Sequence, residues 1–147
     1  MEIKFTIYGK PGSQSRPRFF RRGKGIGSYD PDKANKNDLI ALSREHAPEK
    51  PLEVPVRVDI IAMFKRPKSH YRTGKYSHIL KPTAPKYHTS KPDWDNIGKF
   101  YCDAYNGLFW KDDSYITVGT VTKLYTEQEE RTIVRITTLN NQYSENN

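Results

Sequence analysis

The chain reads as a single α+β domain: a mixed β-sheet of about four strands with a C-terminal hairpin, two helices and long basic loops. Three patterns predict this. Val54, Val56, Val58, Ile60, Ala62 and Phe64 alternate as a strand does when one face meets a core. Ile97, Phe100, Tyr101, Ala104 and Leu108 follow the spacing of one helical face. Residues 115–125 and 132–139 carry β-branched markers on either side of the polar segment Glu127 to Arg131, which predicts the hairpin.

Taken in order, residues 2–8 place Ile3, Phe5 and Ile7 on one face of a half-buried strand. Residues 9–27 then change to Gly, Pro and Ser mixed with Arg and Lys, a loop composition. Asp30-Pro31 supplies an N-cap and an N1 proline for a helix running to about Ala47. Its apolar face, Ala34, Leu39, Ile40 and Leu42, is thin enough to cover a sheet edge or a dimer surface only in part. The strand at 54–64 takes the central place in the sheet. Residues 65–90 have no period, and a loop of that length in a compact domain is uncommon unless functional. Mobility there, with ordering on nucleic acid, is the expectation. For the second helix, Asp95 is the natural N-cap and Asn106-Gly107 the left-handed stop. With 147 residues the chain has the size of one domain, assigned to 1–140, followed by a polar tail at 141–147 that frays.

Lys and Arg number 25 against 17 Asp and Glu, a net charge of 25 − 17 = +8. With a pI near 9.5, that balance suits a polyanionic partner. A hydrophobic fraction of 35% and a mean hydropathy of −0.87 leave a modest core and much surface. No apolar run approaches the roughly 18 residues of a membrane span. One cysteine, Cys102, excludes an internal disulfide, and no signal-peptide pattern opens the chain, so the expected compartment is the cytoplasm, with no membrane partner. His70, His78 and His88 match no zinc spacing.

Two acid-free segments carry the charge. The first holds Arg16, Arg18, Arg21, Arg22 and Lys24, interleaved with Phe19 and Phe20. Basic residues among aromatics suit a surface that pairs phosphates and stacks on exposed bases, the alternative being a solvated loop with Phe19 tucked into the core. The second, Lys65 to Lys91, contributes Lys86, His88 and Lys91 as further expected DNA contacts beside the later acids.

Those acids lie in KPDWDNIGKFYCDAYNGLFWKDD, residues 91–113. Asp93 and Asp95 are two apart before the helix, Asp112 and Asp113 follow it, and Asp95, Lys99 and Asp103 recur at i,i+4 steps. Each alone has an ordinary explanation as a cap, a solvated pair or a turn. Crowded together in a basic chain, they repel unless a cation lies between them. Mg²⁺ takes oxygen ligands and keeps waters, so a few Asp plus a substrate phosphate suffice.

K-P-D-x-D-N, a Lys four residues after the second Asp, D-A-x-N-G and D-D-[ST]-x-I together resemble the signature of the RusA family of Holliday-junction resolvases. R-P-R-F at Arg16 to Phe19, then Tyr29-Asp30-Pro31, and Lys123 after the acidic pair are also similar to that family. The resemblance implies a homodimeric, Mg²⁺-dependent endonuclease, with Mn²⁺ as an alternative ion and no small-molecule cofactor. It would nick four-way or branched DNA on opposing strands, in recombination and repair. It assigns Asp93, Asp95 and Asp113 as metal ligands and Lys99 as the catalytic lysine. Asp112 either supports a ligand or forms a turn, and Asn96 either caps the helix or orients a ligand. Trp94, Gly98 and Tyr115 depart from the family pattern, and none removes a ligand. Two rival readings stand beside this one. The first is a nuclease for branched or single-stranded DNA without junction selectivity. The second is a nucleic-acid-binding module without catalysis.

Overall fold

The computed structural model describes residues 1–144, so the end of the expected tail, 145–147, lies outside the described residues. Its eight main elements are β1 (Glu2–Tyr8), β2 (Arg18–Arg22), β3 (Gly25–Tyr29), α1 (Lys33–Ser43), β4 (Val56–Lys65), α2 (Trp94–Tyr105), β5 (Ile116–Thr126) and β6 (Arg131–Thr138). One mixed sheet of order β1-β6-β4-β5 carries the fold, with both helices on one face. β2 and β3 form a separate two-stranded ribbon.

β4 is central, as its alternation predicts. Val56, Val58, Ile60, Ala62 and Phe64 are buried beneath the helices. On the opposite face Asp59 is also buried. It accepts hydrogen bonds from Arg57, Arg135 and Thr120, which outweigh the cost of burial and hold its carboxyl below the usual range. α2 buries Ile97, Phe100, Tyr101, Ala104 and Tyr105 against this sheet. Phe109 and Trp110, just beyond it, are fully enclosed, and burying side chains of this size contributes about 1.5–3 kcal/mol each.

The C-terminal hairpin is not formed. β5 pairs in parallel with β4, β6 pairs antiparallel with β4, and β4 therefore lies between them. The connection Glu127–Glu130 steps over the end of β4, where Glu130 accepts a hydrogen bond from the Lys65 amide. Two strand spacings are about 10 Å, which four extended residues can span. The parallel β4–β5 pair requires a long crossover, and α2 provides it. The sheet is thus closed by α2 rather than by a turn.

Both predicted caps shift. Asp93, not Asp95, is the N-cap of α2, and Asp95 falls in the first turn. α1 begins after Asp32, and Asp30 instead accepts a hydrogen bond from the Asp32 amide as an Asx turn. Lys36 explains the rearrangement. It is buried with its Nζ 2.6 Å from Asp30 and 2.7 Å from Asp103, pinning the foot of the ribbon to α2. The hydrogen bond from Lys36 holds the Asp30 carboxyl below its ordinary range. Gly107, at φ 80°, supplies the expected left-handed stop.

Two glycines mark close approaches. Gly98 meets β5, where an added Cβ would lie 3.3 Å from Val121. A side chain at Gly12 would overlap the Phe100 ring, so the loop after β1 lies directly on α2. The Gln14 amide donates to the Asn96 carbonyl there, at 2.8 Å. That contact carries the following residues to the N-terminus of α2.

Candidate functional site

Asp93 caps α2 with its backbone alone: its carbonyl accepts from the Ile97 amide, and its carboxylate makes no capping hydrogen bond. Asp95 is exposed one step later, with Lys99 Nζ 3.8 Å from its Oδ2. An exposed pair at that distance is worth at most about 1 kcal/mol, too little to commit Asp95 to it. Both carboxylates open onto a cleft of about 480 Å³, lined also by Gln14, Ser15, Arg16, Pro17, Asn96 and Lys99. On another side they share a cleft with Trp94 and Lys123. Lys10, Arg16 and Lys91 rim the site where Asp93 and Asn96 face a third opening.

The donor set suits a hard divalent cation. Asp93 and Asp95 provide two carboxylates with lone pairs that the helix does not use. Gln14 Oε1, from the same cleft, is buried without a hydrogen-bond partner. Mg²⁺ is held by one or two carboxylates, waters and substrate phosphates. The N-terminus of α2 and the basic rim favour the phosphate.

Asp113 is not brought to this pair. It opens a 3-10 turn at Asp113–Tyr115, and its Oδ1 accepts from Trp110 Nε1 at 2.8 Å. It lies near Cys102, whose thiol burial and the Asp113 charge push up to about 11. Cys102 is seven residues beyond Asp95, about 10 Å further along a helix axis. Among the described residues no three His, Cys, Asp or Glu side chains are grouped to hold a metal. The expected trio is therefore not assembled within one chain. The reason is the parallel β4–β5 pairing, which runs β5 back along α2 and leaves its first residue at the helix's far end.

The remaining residues divide. Asp112 accepts from the Ser114 amide at 2.9 Å, so of its two readings the turn is what its contacts support. The half-buried Asn96 lines the clefts and receives Gln14 through its carbonyl. Arg16 and Lys91 stand at the acids. Arg18, Arg21, Arg22 and Lys24 are exposed on the ribbon. Lys86 is exposed, its Nζ 5.3 Å from the Tyr87 ring. His88 differs: its ring stacks on Phe64 at 4.0 Å and leans on Tyr125, and burial with nearby Lys123 lowers its pKa. Its contacts are packing contacts. The loop holding it is stitched to the outer edge of β5, through the His88 amide to the Lys123 carbonyl and the Tyr125 amide to the Lys86 carbonyl.

Lys123, Gln14 and Lys10 also line these clefts, though they were not among the expected site residues. Lys123 carries a legible signal, since it lies two residues beyond Val121 and so on the strand face that meets α2. Its Nζ donates to the Ser90 carbonyl at 2.6 Å. Gln14 and Lys10 are placed by the loop folding onto Phe100, which no local pattern announces.

A family model described as Endodeoxyribonuclease RusA matches residues 8–137. The uncharacterized protein YqaN of Bacillus subtilis (strain 168) is 35% identical over 133 residues, spanning 86% of this chain and 89% of that protein.

Proposed function

The chain belongs to the RusA endodeoxyribonuclease family, and from that premise we propose that it resolves Holliday junctions by metal-dependent paired nicks on opposing strands. The observation that carries this reading is the cleft lined by Asp93, Asp95, Gln14, Arg16 and Lys99, with Lys91 and Arg16 lining the adjoining opening at Asp93. A pure binding module gains nothing from carboxylates beside phosphate.

In the proposed mechanism Arg16 and Lys91 hold the DNA backbone over the cleft, and Asp93 and Asp95 are the residues that would hold Mg²⁺ or Mn²⁺. When bound, such an ion lowers the pKa of water and neutralises phosphate charge. Lys99 presents a fixed positive charge where negative charge grows on the phosphate, stabilising the transition state beyond the ground state. Gln14, which lines the same cleft, would orient a water there.

Paired nicks call for two sites, and a homodimer supplies them. The outer edge of β5 favours itself as the dimer contact. Its stretch ITVGTVT, residues 116–122, has no charged side chain, whereas exposed edges are ordinarily guarded by charge. Antiparallel pairing of two such edges about Gly119 points the partner subunit's Asp113 toward the Lys123 end of β5, where Asp93 and Asp95 stand. A third carboxylate thereby joins each site.

The test is cleavage of a labelled four-way junction beside linear duplex and Y-shaped DNA of the same sequence, in Mg²⁺. The junction is expected to be cut at least about tenfold faster than either, tenfold being 1.4 kcal/mol of discrimination. Equal cutting of the Y-shaped DNA would favour a branch nuclease without junction selectivity, and binding without cutting a non-catalytic module.

A further inference from the structure

We infer that one face of the β2–β3 ribbon is an apolar wedge, with Phe19 and Ile26 seated against unstacked bases at the branch point. This rests on the reading that the substrate is branched DNA and adds how branching would be sensed. In the ribbon Phe19 lies opposite Ser28 and Arg21 opposite Ile26. Directly opposed residues of an antiparallel pair share a face, so Phe19, Ser28, Arg21 and Ile26 lie together. Phe19 is 74% exposed and Ile26 78%, the most exposed large apolar side chains among the described residues of the strands and helices. Among the described residues, neither Phe19 nor Ile26 belongs to the hydrophobic core or to the side chains packed against it.

The surroundings specify the occupant. Residues 10–29 contain no Asp or Glu, and Arg18, Arg21, Arg22 and Lys24 are exposed along the ribbon. The strands are closed by a two-residue turn in which Gly23 takes φ 58°. Phosphate binding alone needs only the positive charges. Apolar side chains set among them match the way DNA-bending proteins press wedges between base steps. In a continuous duplex such insertion must break an internal stack, whereas at the centre of a junction only the coaxial stacking of two arms, which is easier to open, stands in its way. The wedge therefore discriminates by the cost of opening.

The ribbon is also coupled to the acids. β2 begins two residues after Arg16, which lines the cleft of Asp93 and Asp95. At the other end, Asp30 follows β3 directly and is tied through buried Lys36 to Asp103 on α2. A wedge seated at the branch point thus sets the scissile phosphate at a fixed offset from it.

The experiment uses the full chain with Asp93→Asn as an uncut background and a junction carrying 2-aminopurine beside the branch point. Binding is expected to raise the fluorescence, and adding Phe19→Ser with Ile26→Ser to remove that rise while linear duplex binding stays within about twofold. In the otherwise unmutated chain, the double serine variant is expected to lose roughly tenfold or more in junction affinity, the scale of one lost base stack. Phe19→Trp should restore both. No fluorescence rise with the Asp93→Asn chain, or an equal rise with the serine variant, would overturn the wedge. So would a change in sedimentation of the serine variant without DNA, which would assign the face to a second copy. Fluorescence reads the wedge without cleavage, so failure to nick would count against the nuclease reading alone.

Discussion

Replacing Asp93 by Asn is expected to leave four-way-junction binding within about twofold of wild type while lowering the nicking rate by about three orders of magnitude, the scale of losing one preorganised charge-stabilising group or metal ligand. The substitution is a clean one. Asn keeps the shape of the side chain and is as good an N-cap as Asp. Asp93 in any case caps α2 through its backbone, and its side chain is exposed, so neither the helix nor the core loses a contact. What disappears is one negative oxygen in the cleft shared with Asp95 and Gln14. Removing an acid from a basic DNA-binding surface does not weaken attraction to phosphate. Nicking at the wild-type rate would show that the carboxylate is structural, and a parallel loss of binding would show that the fold had been disturbed instead.

A mixture of Asp93→Asn and Asp113→Asn chains, each inactive alone, is expected to regain cutting of one strand per junction when the two are assembled together. In a dimer with composite sites, the subunit with an intact Asp93 receives the intact Asp113 of its partner, and one of two sites is whole. The expectation follows from the separation of the carboxylates: Asp113 is held by Trp110 near Cys102, toward the far end of α2 from Asp93. Paired nicking should not return, because the second site has lost two acids. No regained cutting, with mixed dimers verified by sedimentation or tagged pull-down, would place the complete site within one subunit.

How much of this was legible in the sequence depended on whether the signal was local. The helix at 97–108 and the strand at 54–64 announce themselves because each buries one face, and burial repeats with the period of the element. Asp93 and Asp95 were legible as a pair because adjacency in sequence guarantees adjacency in space. The relation of Asp113 to them was not, because it depends on which strand β5 joins. Two strands joined by Glu127–Glu130 look like a hairpin, yet β4 is the most apolar strand and takes the slot between them. His88 read as a DNA contact from its basic surroundings, while its ring fills space between Phe64 and Tyr125, brought in from β4 and β5. Gly98 read as a departure from the family pattern and is the place where the helix touches Val121. The ribbon at 18–29 gave no period because no core face organises it. A tight turn and backbone pairing form it, and neither needs apolar alternation.

Mapping nicks on all four strands of a synthetic junction, with Mg²⁺ and again with a chelator, tests the central claim most directly. Symmetric nicks on two opposed strands in Mg²⁺, and none once the ion is removed, are the predicted result. Undiminished cutting in the chelator would contradict the cation site at Asp93 and Asp95, and unrelated nicks scattered over all four strands would contradict a dimer that presents one site to each of two opposed strands.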